Sequence, residues 1–596
     1  MKIIEKIIQS NLIKRMVIRP IMGELPFFCL FVLAISIMPI RFIPSHIHYF
    51  YVDRVFSFLF LDFPRAAAIS YLFTLLVYYS RSRAIKVFFY TFGALLYTVC
   101  LFLHLVFHKT LQPDIIVLLA ETNTQESSEF LSSFLFSMRG MITIVLLAIY
   151  LVIVVACEKY KDYITLQMRK VGHRAFLSIM LVLLILDGII QFRIYSSILA
   201  AKSVDDMPED YGCYDSVTTL LYSLYSIHLV NEDMKQAVLV SQHLNPIDVV
   251  EPQDSLNVVF VIGESYIKHH SQLYGYTLPT TPYLMQEQRN GNLFVFDNVV
   301  SPFNQTSLTM KNTLCCNSLR AQEKWFEHPY FPAIYKKAGY DVYFWDVQKD
   351  DGMQALFEFS LNSFVYNKGL AKVSYTRMSE HSFMLDDDAV NDFAKEVKMK
   401  GKRNFVMFHL MGQHVAFSER YPHHQGFDKF SFRDIRSKLP FMDKDRKQMV
   451  AEYDNATLYN DFVIKHIIDL FRDKNSVILY FSDHGEEVYD YRDSFGRVDF
   501  ESGKIEEGLK CQYEIPFMIW CSNQYMDKHP AIIEQIKEAL HRPFRTDDIC
   551  QVLFHLSHLQ SSYFKEVYDL LSPHYQNYER TVGEDMLNYD RIIKGN

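Results

Sequence analysis

Five apolar stretches crowd the first 195 residues of this 596-residue chain, at about 24–40, 64–79, 87–107, 141–157 and 175–192. A helix needs ~20 apolar residues to cross a hydrocarbon layer ~30 Å thick, so these segments are read as membrane helices. The second is short, and the aromatic run from Phe56 to Leu61 either extends it or lies along the interface. A cleaved signal peptide is the competing reading of the first. It fails because further apolar segments follow and no small-residue cleavage site is visible.

The number of crossings decides which side the rest of the chain occupies. Basic residues mark cytoplasmic loops. They cluster at the N-terminus (Lys2, Lys6, Lys14, Arg15, Arg19), after the second segment (Arg81, Arg83, Lys86) and after the fourth (Lys159, Lys161, Arg169, Lys170, Arg174). The loop between the third and fourth segments is acidic, with Asp114, Glu121, Glu126 and Glu129. Five crossings place all three basic clusters in the cytoplasm and everything after the fifth helix outside. The acidic loop at 120–130 then lies outside too, where an acidic run is commonly a solvated loop.

The rest reads as an ordinary soluble domain. A net charge of −8 without a basic stripe argues against nucleic acid as a partner. Residues 196–254 form a mixed linker, polar and turn-rich at 203–212. Short β-branched or aromatic runs follow at 256–265, 340–346, 404–414, 476–486 and 515–521, each of the kind a buried strand makes. Helical patterns intervene, as at 453–471. Strands alternating with helices predict an α/β domain with a mainly parallel sheet over 255–575, followed by a C-terminal tail at 576–596. Ligands of such sheets bind at the carboxyl ends of the strands, where the polar clusters sit. Cys29, Cys100 and Cys157 lie in apolar runs and are expected to be buried. The other six (Cys213, Cys315, Cys316, Cys511, Cys521, Cys550) permit disulfides if this part is extracytoplasmic.

Three fragments carry candidate chemistry. Glu264 ends the first strand, Asp483 and His484 end a later one, and a Thr/Ser stretch lies between them at 301–310. Two carboxylates and an imidazole suit Zn²⁺, and three protein ligands plus one exchangeable oxygen is the form of a catalytic zinc site. A threonine hydroxyl in the fourth place becomes a nucleophile near neutral pH. Taken singly, a Glu after a strand is most often a solvated turn residue, an Asp-His pair a hydrogen-bonded turn, and a Thr/Ser run a loop.

The segment VVFVIGESYIKHHSQLYGYTLPTTPYL (258–284) resembles the opening of the phosphoethanolamine transferases of the alkaline phosphatase/sulfatase superfamily. HLMGQHVAFSERYP (409–422), YDNATLYNDFVI (453–464), SDHGEE (482–487) and YEIPFMIW (513–520) are similar to further stretches of that family, in the same order and at similar spacing. With the five preceding membrane segments, the resemblance covers nearly the whole chain.

The resemblance implies a five-helix transmembrane bundle (1–195), bridging helices (196–254) and a sulfatase-like catalytic domain. It also implies a multi-pass protein of the bacterial inner membrane, monomeric, with the catalytic domain in the periplasm. Glu264, Asp483 and His484 would hold Zn²⁺. Thr306 would be the zinc-bound nucleophile, and His414 would give or take a proton beside the phosphoryl group. The donor would be phosphatidylethanolamine and the acceptor lipid A or the lipopolysaccharide core, through a phospho-threonine intermediate.

Two departures qualify it. Lipid A-modifying members have Gly before the nucleophile, where this chain has Asn304-Gln305, so Ser307 and Thr309 compete with Thr306. Those members also carry a His-Gly pair after S-D-H-G-E, whereas 488–515 here contain no His. Arg492, Arg497 and Lys504 are cations in that stretch available to a phosphate, though such charges are usually solvated. Adjacent His269 and His270 are expected at the surface, and His423 and His424 are either ligands or plain loop. The rival functions are a glycerol-phosphate transferase of lipoteichoic-acid-synthase type, a sulfatase-superfamily phosphodiesterase, and a non-enzymatic membrane scaffold.

Overall fold

A computed structural model describes residues 14–36, 63–107, 111, 136–171, 173–201, 215–249, 254–349, 364–497, 500–501 and 503–595. The acidic loop at 120–130, the turn-rich stretch at 203–212, the run 56–61 and Cys213 lie outside them. The chain divides into two compact units, one of residues 1–119 and 130–232, the other of 120–129 and 233–596.

The first unit is helical: α1 (Arg19–Gly23), α2 (Leu25–Ile35), α3 (Phe63–Ser80), α4 (Arg83–Phe107), α5 (Met138–Lys159), α6 (Lys161–Val171), α7 (His173–Ala200) and, as far as residue 232, α8 (Ser216–Gln242). A helix thus occurs at each of the five apolar stretches. By length and composition, two helices among the described residues can cross a membrane, at Arg83–Val106 and Met138–Lys159. A third crossing is added if Arg15–Gly23 and Leu25–Ile35, bent by 86° at their junction, count as one span. Lys86 Nζ lies 2.6 Å from both Glu24 and Glu158, and Lys161 lies 2.8 Å from Glu24. This network gathers the start of α2, the start of α4 and the α5–α6 junction at one level, as expected of segments sharing one face of a bilayer. Cys100 is buried as expected, but Cys29 is exposed. A thiol on a membrane helix can face lipid without meeting water, so an apolar run alone does not place it inside the protein.

The second unit is built on a seven-stranded sheet: β1 (Leu256–Gly263), β2 (Leu293–Phe296), β3 (Asp341–Asp346), β4 (Arg377–Met378), β5 (Arg403–His409), β6 (Ser476–Ser482) and β7 (Phe517–Cys521), in the order β2-β7-β6-β1-β5-β3-β4. β1, β5 and β6 are buried along their whole length, which is why they read as continuous apolar runs rather than alternating ones. Pairings β1–β5, β1–β6, β3–β5 and β3–β4 are parallel. β7 runs antiparallel to both β6 and β2; a fully buried strand reads alike in either direction, so its sequence could not reveal this.

Helix α10 (Lys444–Phe471) extends the pattern at 453–471 by two and a half turns, and Asp443 caps it by accepting from Arg446 N at 2.9 Å. Residues 578–593 pack down rather than trail away: Arg580, 2% exposed, pairs with Asp590 at 2.7 Å. Cys315, Cys316, Cys511, Cys521 and Cys550 are buried free thiols, so no disulfide forms among these five.

Candidate active site

Strands β1 and β6 lie side by side with Gly263 opposite Ser482, so the residues that follow them leave the sheet together. These are Glu264 on one strand and Asp483-His484 on the other. Asp483 N donates to Gly263 O at 3.0 Å and Ser265 N donates to Asp483 Oδ1 at 3.2 Å, which fixes the two turns to each other. Ser265 sits at φ +56°, a left-handed conformation that costs about 1–3 kcal/mol in a non-glycine residue and persists where the surroundings enforce it. Gly412, at φ +49°, lies against the Glu264 backbone; a Cβ there would come within 2.8 Å of Glu264 O. The loop after β5 therefore closes on Glu264 only because residue 412 is glycine.

Glu264, Asp483 and His484 are all buried and present donor atoms within 4.8 Å of one another. Thr306 joins them. The Thr/Ser stretch, read as a loop from sequence, forms helix α9 (Thr306–Leu314), with Thr306 its first residue. The Thr306 hydroxyl donates to Glu264 Oε2 at 3.1 Å and lies 3.2 Å from His484 Nε2. Position at a helix N-terminus favours negative charge on that oxygen. Thr309 instead donates to Phe303 O at 3.1 Å, and Ser301 reaches across to Asp483 O. Of the three candidate hydroxyls at 306, 307 and 309, the one at 306 is hydrogen-bonded within the cluster.

The cluster fits a cation. His484 Nδ1 lies 2.9 Å from Gly485 O, which can only accept, so Nδ1 carries the hydrogen and Nε2 presents a lone pair. Burial, with the Arg497 guanidinium, holds this imidazole below its usual range and keeps it neutral. That lone pair faces Glu264 Oε1 at 3.3 Å and Asp483 Oδ2 at 3.2 Å, and Asp483 Oδ2 is buried without a hydrogen bond. Burial, then the charge of Glu264, pushes the Asp483 carboxyl well above the carboxylate range. Burial opposes ionisation of Glu264 as well, but the positive charge around it, with the Arg497 guanidinium part of it, outweighs that and holds Glu264 well below its usual value. Two carboxyl groups and an imidazole nitrogen without a hydrogen face one another, with the Arg497 guanidinium also donating to that nitrogen at 2.6 Å; a divalent ion fits among them, and this N/O donor set suits zinc.

Of the three cations in the stretch without histidine, one enters the site. Arg497 Nη1 donates to His484 Nε2 at 2.6 Å, while its Nε lies 3.5 Å from Glu486. Arg492 pairs with Glu487 at 2.6 Å and Lys504 with Glu501 at 3.1 Å. His414 is half-buried in the loop after β5, near enough to Glu264 to act on its charge. His269, His423 and His424 are away from the cluster: His269 pairs with Glu514 at 2.9 Å and His423 with Asp428 at 2.8 Å. His270, expected at the surface, is 4% exposed and bridges Asp454 at 2.7 Å and Asp490 at 3.0 Å; carboxylates distant in sequence make the burial of its charge tolerable. Gln348 was not singled out from sequence. Its Nε2 donates to Glu264 Oε2 at 3.3 Å and to Leu410 O at 2.9 Å. The available signal was its place just past the carboxyl end of β3.

A sulfatase family model matches residues 256–550. The phosphoethanolamine transferase EptC of Escherichia coli O18:K1:H7 is 27% identical over 349 residues, 57% of this chain and 58% of that protein, so the match spans under two thirds of the relative. The C-terminal periplasmic domain of EptC from Escherichia coli, solved with Zn, superposes with a TM-score of 0.50 at 23% identity over 58% of this chain and 97% of that one. The integral membrane protein lipooligosaccharide phosphoethanolamine transferase A of Neisseria meningitidis superposes with a TM-score of 0.58 at 16% identity, over 92% of this chain and 97% of that one. These likenesses cover the fold of both units.

Proposed function

We propose, from the premise that this chain belongs to the phosphoethanolamine transferase family of the sulfatase superfamily, that it transfers phosphoethanolamine from phosphatidylethanolamine to an envelope glycolipid. Thr306 is the nucleophile. The observation that carries this reading is the convergence of its hydroxyl on Glu264, Asp483 and His484. Zn²⁺ held by those three side chains would lower the hydroxyl's pKa and offset charge on the phosphoryl oxygens.

Thr306 Oγ1 attacks phosphorus. The Thr306–phosphorus bond forms, the bond to the diacylglycerol oxygen breaks, and His414 gives that oxygen its proton. Phosphoethanolamine stays on Thr306. An acceptor hydroxyl or phosphate oxygen then attacks, His414 removes its proton where it has one, and Thr306 is released. Covalent retention carries the group from one lipid to the other without loss to water. The helix terminus at Thr306 and the Arg497 guanidinium both favour anionic phosphate there. We further propose five membrane crossings, the catalytic unit on the outer side of the inner membrane, and lipid A or the lipopolysaccharide core as acceptor.

The test is mass spectrometry of envelope glycolipids from cells with the unaltered chain or with Thr306→Ala. The expected result is a phosphoethanolamine increment that disappears in the variant. A glycerol-phosphate product, or a modified glycolipid that persists in the variant, overturns the reading.

A further inference from the structure

The second unit has a cavity of about 560 Å³ that the transfer chemistry leaves without a role. Its volume is in the range of small-molecule sites. Its walls descend from the same two segments that carry the ligands. One runs from Glu264 to His270 and on to Tyr276–Leu278, the other from Asp483 to Val488–Asp490. His270 ties them together through Asp490 at 3.0 Å, and Tyr453 braces the first segment, donating to Ser265 O at 2.6 Å while its ring meets His270 edge-on at 5.2 Å.

The far wall, residues 433–437, brings Arg433 and Arg436. Both are exposed, and no carboxylate lies within ion-pair distance of either among the described residues. The carboxylates that share the cavity are already engaged. Asp490 takes His270 at 3.0 Å and Val488 N at 2.8 Å, and Asp434 takes the Ser431 amide and hydroxyl at 2.9 Å. Asp434 keeps its charge beside the arginines, but Arg433, Arg436 and the His270 cation outnumber Asp434 and Asp490 in the lining, so its balance is positive. Hydroxyls of Thr277 and Ser437 and rings of Tyr276 and Tyr489 complete the lining. Tyr489 sits at φ +60°, held by its amide donating to Ser494 O at 3.0 Å. Strain of this kind in a bulky residue collects at ligand clamps.

We propose that this cavity is a subsite for an anionic sugar, one bearing a phosphate or carboxylate, with Arg433 and Arg436 as its anion contacts. Guanidinium forks match either anion, tyrosine faces suit sugar rings, and small hydroxyls suit sugar hydroxyls. Calling that sugar the acceptor's headgroup rests on the transfer reading; binding itself does not, because it is measured without donor lipid.

The experiment uses the full chain in detergent with metal present and titrates glucose 1-phosphate, glucose and inorganic phosphate by calorimetry. Glucose 1-phosphate should bind more tightly than either fragment, and Arg433→Ala/Arg436→Ala should weaken it about tenfold or more, while Thr306→Ala leaves it unchanged. Both arginines are exposed, so the double variant should keep its melting temperature. A second arm presents the headgroup on a phosphorylated glycolipid in phosphatidylcholine vesicles and distinguishes a lipid-borne sugar from a soluble one. Loss of binding on double substitution in either arm supports the subsite. Unchanged binding in both arms, or inorganic phosphate matching glucose 1-phosphate, overturns it. Donor loading of Thr306, read as the phosphoethanolamine mass increment on the protein, should be equal in the double variant and the unaltered chain, and a loading defect confined to the variant also overturns it. If the unaltered chain never loads, the transfer reading fails while the binding arms still decide the subsite.

Discussion

Two buried clusters in the catalytic unit are each made of two carboxylates and one histidine, and both histidine–carboxylate sets draw on the segments after β1 and β6. In the first, Glu264, Asp483 and His484, the imidazole spends its hydrogen on Gly485 O and turns its other nitrogen, an acceptor for Arg497, toward two carboxyl groups. In the second, Asp454, Asp490 and His270, both ring nitrogens face carboxylates at 2.7 and 3.0 Å. Burial alone would neutralise His270, but Asp454 and Asp490 overcome it and raise its pKa to about 10. The second cluster therefore carries its cation on its own histidine, while in the first the histidine stays uncharged and the only cation in contact with it among the described residues is Arg497, on the same nitrogen that faces the carboxyl groups. Composition is equal in the two; the hydrogen-bond partner of a single ring nitrogen separates a metal site from a structural ion cluster.

The most severe break acts on the first cluster alone. Thr306→Ala should reduce transfer by about 10⁴-fold or more, without altering melting temperature or metal content, measured by lipid product and elemental analysis. Next, Asp483→Asn should reduce zinc from about one per chain to near none after dialysis, because a neutral amide cannot balance the ion. The matching change in the other cluster, Asp490→Asn, should leave zinc content intact. Equal metal loss from both variants would erase the distinction.

His270→Gln should cost about 3–5 kcal/mol, the usual penalty for breaking a buried ion pair, with zinc retained. The pH dependence has a definite sign. The pKa of His270 is raised on folding from about 6.5 to about 10, so its contribution is fully present below about pH 6.5 and is lost as pH rises toward 10. Melting temperatures across that window should fall more steeply for the unaltered chain than for the variant.

What the sequence disclosed follows from where each cause lies. The convergence of Glu264, Asp483 and His484 was legible because each directly ends an apolar run, and parallel neighbours place such ends together, as Gly263 opposite Ser482 does. The proposed nucleophile could be singled out only through flanking motifs, since nothing local distinguishes a helix-starting Thr306 from a loop threonine. His270 was misplaced because its partners are 184 and 220 residues away, and adjacency to His269 says nothing about them. The reversed direction of β7 was hidden because it lies between β2 and β6 and is buried throughout, which erases the alternation common in antiparallel strands. Gln348 escaped because a neutral amide carries no charge pattern, and its role arises only once β3 and β1 are in one sheet.

Gln348 provides the finest test of the comparison. Among the neutral donors on carboxylate oxygens, each cluster has one from a side chain remote in sequence and outside the proposed chemistry: Gln348 Nε2 on Glu264 Oε2 at 3.3 Å, and Tyr276 Oη on Asp454 Oδ2 at 2.8 Å. A neutral donor beside a metal ligand orients it, and removing such a group typically costs 10–100-fold in metal affinity or activity. A neutral donor in a self-contained ion cluster contributes about 1 kcal/mol to stability. Gln348→Leu should therefore weaken zinc binding by about tenfold, read by competition with a chelator, and leave the melting temperature of the zinc-loaded chain nearly fixed. Tyr276→Phe should do the reverse, lowering the melting temperature by a few degrees with chelator competition unchanged. If Gln348→Leu changes only stability, Glu264 is held by its own fold and the neutral donor adds nothing to the ion's grip. If Tyr276→Phe changes zinc affinity, the two clusters are coupled through Tyr453 and are no longer separate devices.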